Sequence, residues 1–300
     1  MSARLMVSDA VWDRIEPLMP ADPVRGRRWA DHRRVLEAIA WKYRTGSPWR
    51  DLPEELGPFQ TAHKRLLRWA LGGTWQRIFH TVLAAADAED EISWTVSVDS
   101  TVCRAHQHAA GARNGDHGRG EPADHALGRS RGGLSTKVHL ASDAQARPLA
   151  MVVTAGQAGD APAFTAVMAA IRVPRLGGGR PRTRPDTVIA DRAYSARAIR
   201  SRLRERHIRA VVPQPVDQVR HRLRRGSQGG RPPGFDREAY RGRNTVERCI
   251  ARLKQWRGLA MRSDKLGVVY RAAFHVAAVL IGSAGDLEPA WCSSRPGFAL

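Results

Sequence analysis

Three acids in this chain stand where carboxylates can do phosphate chemistry. Asp99 follows the apolar run Trp94-Thr95-Val96-Ser97-Val98, and Asp191 follows a second, Thr187-Val188-Ile189-Ala190. Glu247 lies in the stretch 240–254, YRGRNTVERCIARLK, where Tyr240, Arg243, Glu247 and Lys254 are spaced Y-x-x-R-x-x-x-E-x-x-x-x-x-x-K. A carboxylate placed straight after a buried strand lies near the core, where an unpaired charge is costly. Hard cations such as Mg²⁺ or Mn²⁺ offset that cost. Three converging carboxylates can hold two such ions, one activating water or a 3′-hydroxyl and the other stabilising the leaving oxygen of an in-line phosphoryl displacement. On a helix Arg243 and Glu247 are four apart and Lys254 seven further on, so one face carries a metal ligand and two phosphate-seeking cations. Tyr240 stands one turn earlier on the same side. A plainer reading has the aspartates capping the following turns or pairing with arginine, and Arg243–Glu247 as a solvated helix pair.

Other chemistry-bearing residues form weaker sets. His106 and His108, with His117 and His125, suggest a metal tract, although such histidines more often serve as loop residues or phosphate contacts. Trp256 beside Arg257 fits base stacking or, more commonly, core packing. Ser100 and Thr101 have no recognisable His/Asp partners, and Tyr240 lacks the Arg/His set that a covalent tyrosine recombinase needs. Cys103, Cys249 and Cys292 are odd in number and not spaced as zinc pairs, which fits a reducing cytoplasm.

The elements that must position these residues fall into two regions. Residues 1–92 read as helical: Ser8 caps a helix with apolar positions Val11, Trp12, Ile15, Leu18 and Met19, and Asp31 opens a second with Val35, Leu36, Ile39 and Tyr43 inward, stopped by Gly46 and Pro48. Asp51 is expected to cap a short turn to Leu56, and the Gly57-Pro58 break leads into a helix from Thr61 to Leu71. That helix carries His63, Lys64, Arg65 and Arg68 on its other faces. Short helix, turn and basic second helix together resemble a helix-turn-helix, whose second helix enters the major groove; a helical bundle with a basic solvated face is the alternative. From residue 93 to 282 the pattern changes to strands near 94–99, 135–140, 148–154, 187–190 and 208–212. Asp160 is expected to cap one helix and Ser195 another, with further helices over 240–257 and 268–281, giving a mixed α/β sheet with helices on its faces. Gly111 to Gly133 and 214–239 read as loops rich in Gly and Arg, and 283–300 as a loosely structured tail.

Charge points the same way as the acids. The 49 Lys and Arg against 29 Asp and Glu give a net charge of +20, the footprint of a polyanion partner. Without a long apolar run or a signal-like N-terminus, a membrane role is not expected.

These motifs in this order identify the chain as a member of the bacterial insertion-sequence transposases of the DDE type with the YREK signature, most similar to the IS-five family. The resemblance rests on VSVDSTVCRAHQHAAG, HALGRSRGGLSTKVHL, AMVVTAGQAGDAPAF, DTVIADRAYSARAIR and YRGRNTVERCIARLKQWRGLAMRSDKL, with WRDLPEELGPFQTAHKRLLRW near the N-terminus. It implies a ribonuclease H-like sheet with Asp99 on the first strand, Asp191 after the fourth and Glu247 on a later helix, the three binding two Mg²⁺ ions, with Mn²⁺ able to substitute. It further implies that Tyr240, Arg243 and Lys254 hold DNA, and that the enzyme hydrolyses transposon ends and transfers their 3′-hydroxyls to target DNA. The partners would be terminal inverted repeats and target DNA, in a dimer or larger assembly at the bacterial nucleoid in the cytoplasm. Two competing functions stay open on the residues alone: a DNA-binding relic without cleavage, and a ribonuclease H-like nuclease that never joins.

Overall fold

The computed structural model describes residues 6–22, 28–112 and 120–283. His117, Cys292 and the expected tail beyond 283 lie outside the described residues. The helical part contains α1 (Asp9–Ile15), α2 (His32–Thr45), α3 (Phe59–Leu71) and α4 (Thr74–Ala88). Ser8 caps α1 by accepting from the Val11 amide, and Asp31 caps α2 by accepting from the Arg34 amide at 2.7 Å. Gly46 ends α2 in the left-handed conformation at φ 72°, which a side chain adopts only with strain. The expected Asp51-capped helix is instead two separate 3₁₀ turns, Trp49–Asp51 and Glu54–Leu56. Pro53 between them lacks the amide hydrogen a continuous helix needs.

The sheet is built from β1 (Thr95–Ala105), β2 (Gly128–Ser130), β3 (Gly133–Ser142), β4 (Pro148–Ala155), then, after α5 (Asp160–Ala170), β5 (Thr187–Ala190). There follow α6 (Arg197–Glu205), β6 (Arg209–Val211), α7 (Val216–Arg224), α8 (Arg237–Arg241), α9 (Asn244–Lys254), α10 (Arg257–Ala260), the short β7 (Met261–Arg262) and α11 (Gly267–Ser283). β1 pairs antiparallel with β3 and parallel with β5; β3 pairs antiparallel with β4, and β5 parallel with β6. Leaving aside β2 and β7, the order is β4-β3-β1-β5-β6 with β3 reversed, the ribonuclease H-like arrangement that the sequence resemblance implies. α5 covers one face of β3 and β4, while α9 and α11 pack on the sheet as well.

Four details depart from the sequence reading, each for a local reason. Asp99 does not end its strand: β1 continues to Ala105, because β3 supplies partners as far as Arg104. Asp160 and Ser195 are not helix caps; Gly159 and Ala196 occupy those positions. Tertiary partners claim both side chains, Ser100 and Lys137 for Asp160 and the Gln218 amide for Ser195. The single helix expected over 240–257 breaks at Gly242 into α8 and α9. The stretch 214–239 offers no buried residue, yet its first part forms α7.

One hydrophobic core runs from Val7 to Leu280, joining helical part and sheet. α11 packs on α3 and α4, and α10 on the end of α2. Polar links reinforce this seam: Tyr43 donates to Asp264 at 3.0 Å, and the fully buried Arg262 donates to Thr136 Oγ1 at 2.7 Å and to the Lys265 carbonyl at 2.9 Å. Glu121 accepts from the amides of Gly267 and Val268, satisfying donors at the start of α11. No helix among the described residues is long and apolar enough to cross a membrane.

Two predictions follow from this packing. A Cβ on Gly258 would meet Tyr43 at 2.9 Å from its ring and 3.0 Å from its Cα, a contact involving backbone that cannot swing away. Gly258→Ala is therefore expected to cost about 1–3 kcal/mol in urea unfolding; an unchanged midpoint would show that α2 and α10 part freely. His275 is buried in α11, stacked on Phe79 at 5.1 Å. Burial, with Arg271 and His80 adding repulsion, pushes its pKa down to about 3. The unfolded chain thus binds a proton that the folded chain refuses, so stability is full above about pH 6.5 and falls as pH drops toward 3. His275→Phe is expected to flatten that acid limb when urea midpoints at pH 7 and pH 5 are compared; an equal loss in both proteins would place the sensitivity elsewhere.

Candidate active site

Asp99 and Asp191 come together through strand register. Val98 of β1 pairs with Ala190 of β5, so the two aspartates occupy the next step on neighbouring parallel strands. Strands lie about 4.8 Å apart, which brings the two backbones side by side. Alternation then divides β1: Ser97, Asp99 and Thr101 share one face, while Val98 and Ser100 point to the other. α9 docks on the Asp99 face, where Thr245 donates to Ser97 Oγ at 3.2 Å, two residues before Asp99. That contact sets the first turn of α9 over Asp99. Arg243, at the N-cap of α9, bonds Asp99 Oδ2 at 3.2 Å with one nitrogen and Glu247 with another.

The electrostatics record the convergence. Asp99 is held above the usual carboxylate range, chiefly by burial, with the charges of Asp191 and Glu247 pushing the same way. The Ser100 amide at 2.7 Å and the Arg243 guanidinium oppose that rise. Arg243 is itself held above its ordinary value: burial lowers it, but Glu247, Tyr240 and Asp99 together outweigh burial. One Asp191 oxygen accepts from the Ala193 amide at 2.8 Å, so this residue also caps the turn that follows it.

The remaining expected residues divide. Tyr240 lies on α8 near Arg243, its ring edge-on to Phe235. Lys254 is away from the carboxylates, donating to the Val102 carbonyl at 3.2 Å. On α3, His63, Lys64 and Arg68 are exposed. Arg65 corrects the expectation of a DNA contact: it is buried, with its guanidinium 3.9 Å over the Trp29 ring and 5.2 Å from Trp69. A cation stacked between two indoles is held by the core. Trp256 is buried as well. Among the described residues no three His, Cys, Asp or Glu stand close enough to hold a metal ion as arranged. His125 pairs with Glu121 at 2.7 Å, and His106 and His108 pack against each other.

Sequence reasoning missed the support beneath the site. Ser100 donates to Asp160 at 2.5 Å, and Lys137 reaches the same carboxylate at 2.9 Å. His139, fully buried, lies 3.6 Å from Asp160 and bonds Thr154 Oγ1 at 2.9 Å. Burial pushes His139 down to about 4 against the pull of Asp160. Burial also raises Tyr194, and Asp160, Asp99 and Asp191 add to that rise. The available signal was the alternation Ser135, Lys137, His139 on β3, which reads as a solvent face until α5 is placed over it.

Carboxylates are hard oxygen donors of the kind that suits a divalent cation, and Asp99 and Asp191 stand on adjoining strands. Arg243 supplies the positive charge between Asp99 and Glu247.

Residues 92–281 match the family described as "Transposase DDE domain", and residues 7–79 match "Putative transposase of IS4/5 family". The chain therefore belongs to the DDE-domain transposases, enzymes that act on DNA. It is 39% identical over 113 residues to "Uncharacterized protein y4sN" of Sinorhizobium fredii, covering 37% of this chain and 86% of that one. It is 30% identical over 164 residues to "Putative transposase for insertion sequence element IS402" of Burkholderia cepacia, covering 55% of this chain and 69% of that one. Among solved structures, "Mos1 transposase paired-end complex with left transposon end" aligns with 79% of this chain and 82% of that chain, at 13% identity and a TM-score of 0.24.

If Arg243 competes with a cation for these carboxylates, Arg243→Ala should bind Mn²⁺ more tightly than wild type. The expected result is a larger Mn²⁺-dependent rise in melting temperature, about 2–4 °C for each kcal/mol of added binding. The rise should vanish in Asp99→Ala. Equal shifts with and without Arg243 would show that the arginine and the ion do not share the site.

Proposed function

We propose that this transposase cuts the ends of an insertion sequence and joins their 3′-hydroxyls to target DNA, using Asp99, Asp191 and Glu247 as one site. The observation that carries the reading is the register of β1 and β5, which sets Asp99 and Asp191 at one level beneath α9 and Glu247. Two Mg²⁺ ions, or Mn²⁺, bound by the three carboxylates would supply the activated nucleophile and stabilise the leaving oxygen.

The chain's own residues do the rest. Rigid strands hold two carboxylates in place, so their positions need little reorganisation at the moment of reaction. Arg243 is free to exchange its carboxylate partners for a phosphate oxygen, a planar donor that can bind two oxygens at once. Glu247, more exposed than Asp99, is the carboxylate a substrate meets first. Tyr240 beside Arg243, and Lys254 further along α9, extend this surface for the DNA strand in the manner of the YREK signature. Residues 1–92 would serve as the DNA-reading part, with His63, Lys64 and Arg68 of α3 facing the duplex, and residues 93–282 as the catalytic part. Two transposon ends must be held together, so the working form would be a dimer or larger assembly on DNA, acting at the nucleoid.

The decisive assay is Mg²⁺-dependent 3′-end joining on DNA carrying the element's own ends. Wild type should join, and Asp99→Ala, Asp191→Ala and Glu247→Ala should each lose about a thousandfold or more of that rate while still binding DNA. Cleavage without joining would make the protein a nuclease, and binding without either in both metals would leave a DNA-binding relic.

A further inference from the structure

A cavity of about 790 Å³ opens between the helical part and the far end of β1, well within the range of small-molecule sites. It lies about 20 Å along the strand from Asp99, at the 3.3 Å rise of each residue to Ala105 and beyond. The cavity is thus separate from the carboxylates. Its walls are of two kinds. Trp49, Leu66, Leu67, Met261 and Leu266 offer an aromatic ring and aliphatic surface. His63 on α3, Arg257 on α10, Lys265 before α11, and His106 and His108 after β1 bring hydrogen-bond donors from four directions. Among the described residues Asp264 is the one acid lining it, and Tyr43 already donates to that carboxylate. Lys42, also in the lining, donates to Ser263.

We propose that this cavity receives an unstacked nucleotide of the DNA strand, its base against Trp49 and the leucines and its flanking phosphates on Lys265 and Arg257. Bases of any identity stack on an aromatic face, and backbone phosphates need spaced cations. The cations here stand on separate elements rather than converging on one point. That layout fits a chain carrying one charge per nucleotide better than the clustered phosphates of a free nucleotide. Among the described lining residues Lys42, Arg257 and Lys265 outnumber the single acid Asp264, which fits an anionic ligand. His63 lies on the same helix as the exposed Lys64 and Arg68, so the cavity continues the basic face of α3. The proposal rests on the DNA-processing reading above but concerns a site that the cutting chemistry does not need.

The test uses the full chain and a ten-nucleotide deoxythymidine strand carrying one 5-iodouracil, photocrosslinked and mapped by mass spectrometry. Adducts are expected on Trp49, His63, His106 or His108. Trp49→Leu and, separately, the exposed Lys265→Ala should each lower the yield about tenfold, with circular dichroism confirming the fold. An excess of thymidine monophosphate should leave the yield unchanged. Adducts confined to other surfaces, or a yield indifferent to Lys265→Ala, would overturn the proposal; so would full competition by the mononucleotide, which would make this a free-nucleotide site. A gel shift of duplex DNA by the same preparation reports the parent reading independently, since DNA binding without cavity adducts sinks this inference alone.

Discussion

Like charges brought together are the constraint on which this molecule turns. Asp99 is withdrawn from water, and the charges of Asp191 and Glu247 add to the rise that burial imposes on its carboxyl. Such a cluster persists only if the scaffold fixes it and a positive charge offsets it. The scaffold is the middle of the sheet, where β1 is paired on both edges and covered on both faces. The offsetting charge is Arg243, which holds two of the acids. A guanidinium binds phosphate oxygens with the same planar fork that it offers to carboxylates.

Support for the cluster lies on the opposite face of the same strand. Ser100 is the residue after Asp99, so its hydrogen bond to Asp160 pins the backbone next to that carboxylate. Lys137 completes that anchor, and His139 stays neutral beside it. The half-buried charges of Lys137 and Asp160 are paired rather than isolated, which lowers the cost of withdrawing them from water. The candidate site and its support are therefore two faces of one strand.

The helical part is bound into the same framework. Gly258 lets the backbone of α10 approach Tyr43 closely, and Tyr43 and Arg262 tie α2 and the sheet to the segment 262–266. Any movement of α3 relative to the carboxylates must break this seam. A shared core suits an enzyme that must place a bound DNA at a fixed distance from its chemistry.

Much of this was legible in the residues. Alternation and caps gave α2, β3, β4 and β5 close to their observed limits, because local hydrogen bonds and apolar period decide such elements; for α1 they gave the start but not the end, since the expected run to Met19 passes at Glu16–Leu18 into a 3₁₀ turn. The spacing of Arg243 and Glu247 by itself determined that they would meet, since four residues make one helical turn. What the chain order left open was everything set by register and packing. Only pairing of Val98 with Ala190 decides that Asp99 and Asp191 are neighbours. Only the covering of β3 by α5 turns Lys137 and His139 from a solvent face into a buried anchor. Only the stack on Trp29 and Trp69 removes Arg65 from the basic face of its helix. Each of these depends on contacts between residues far apart in sequence, and a local pattern carries no information about which distant surface will arrive to cover it.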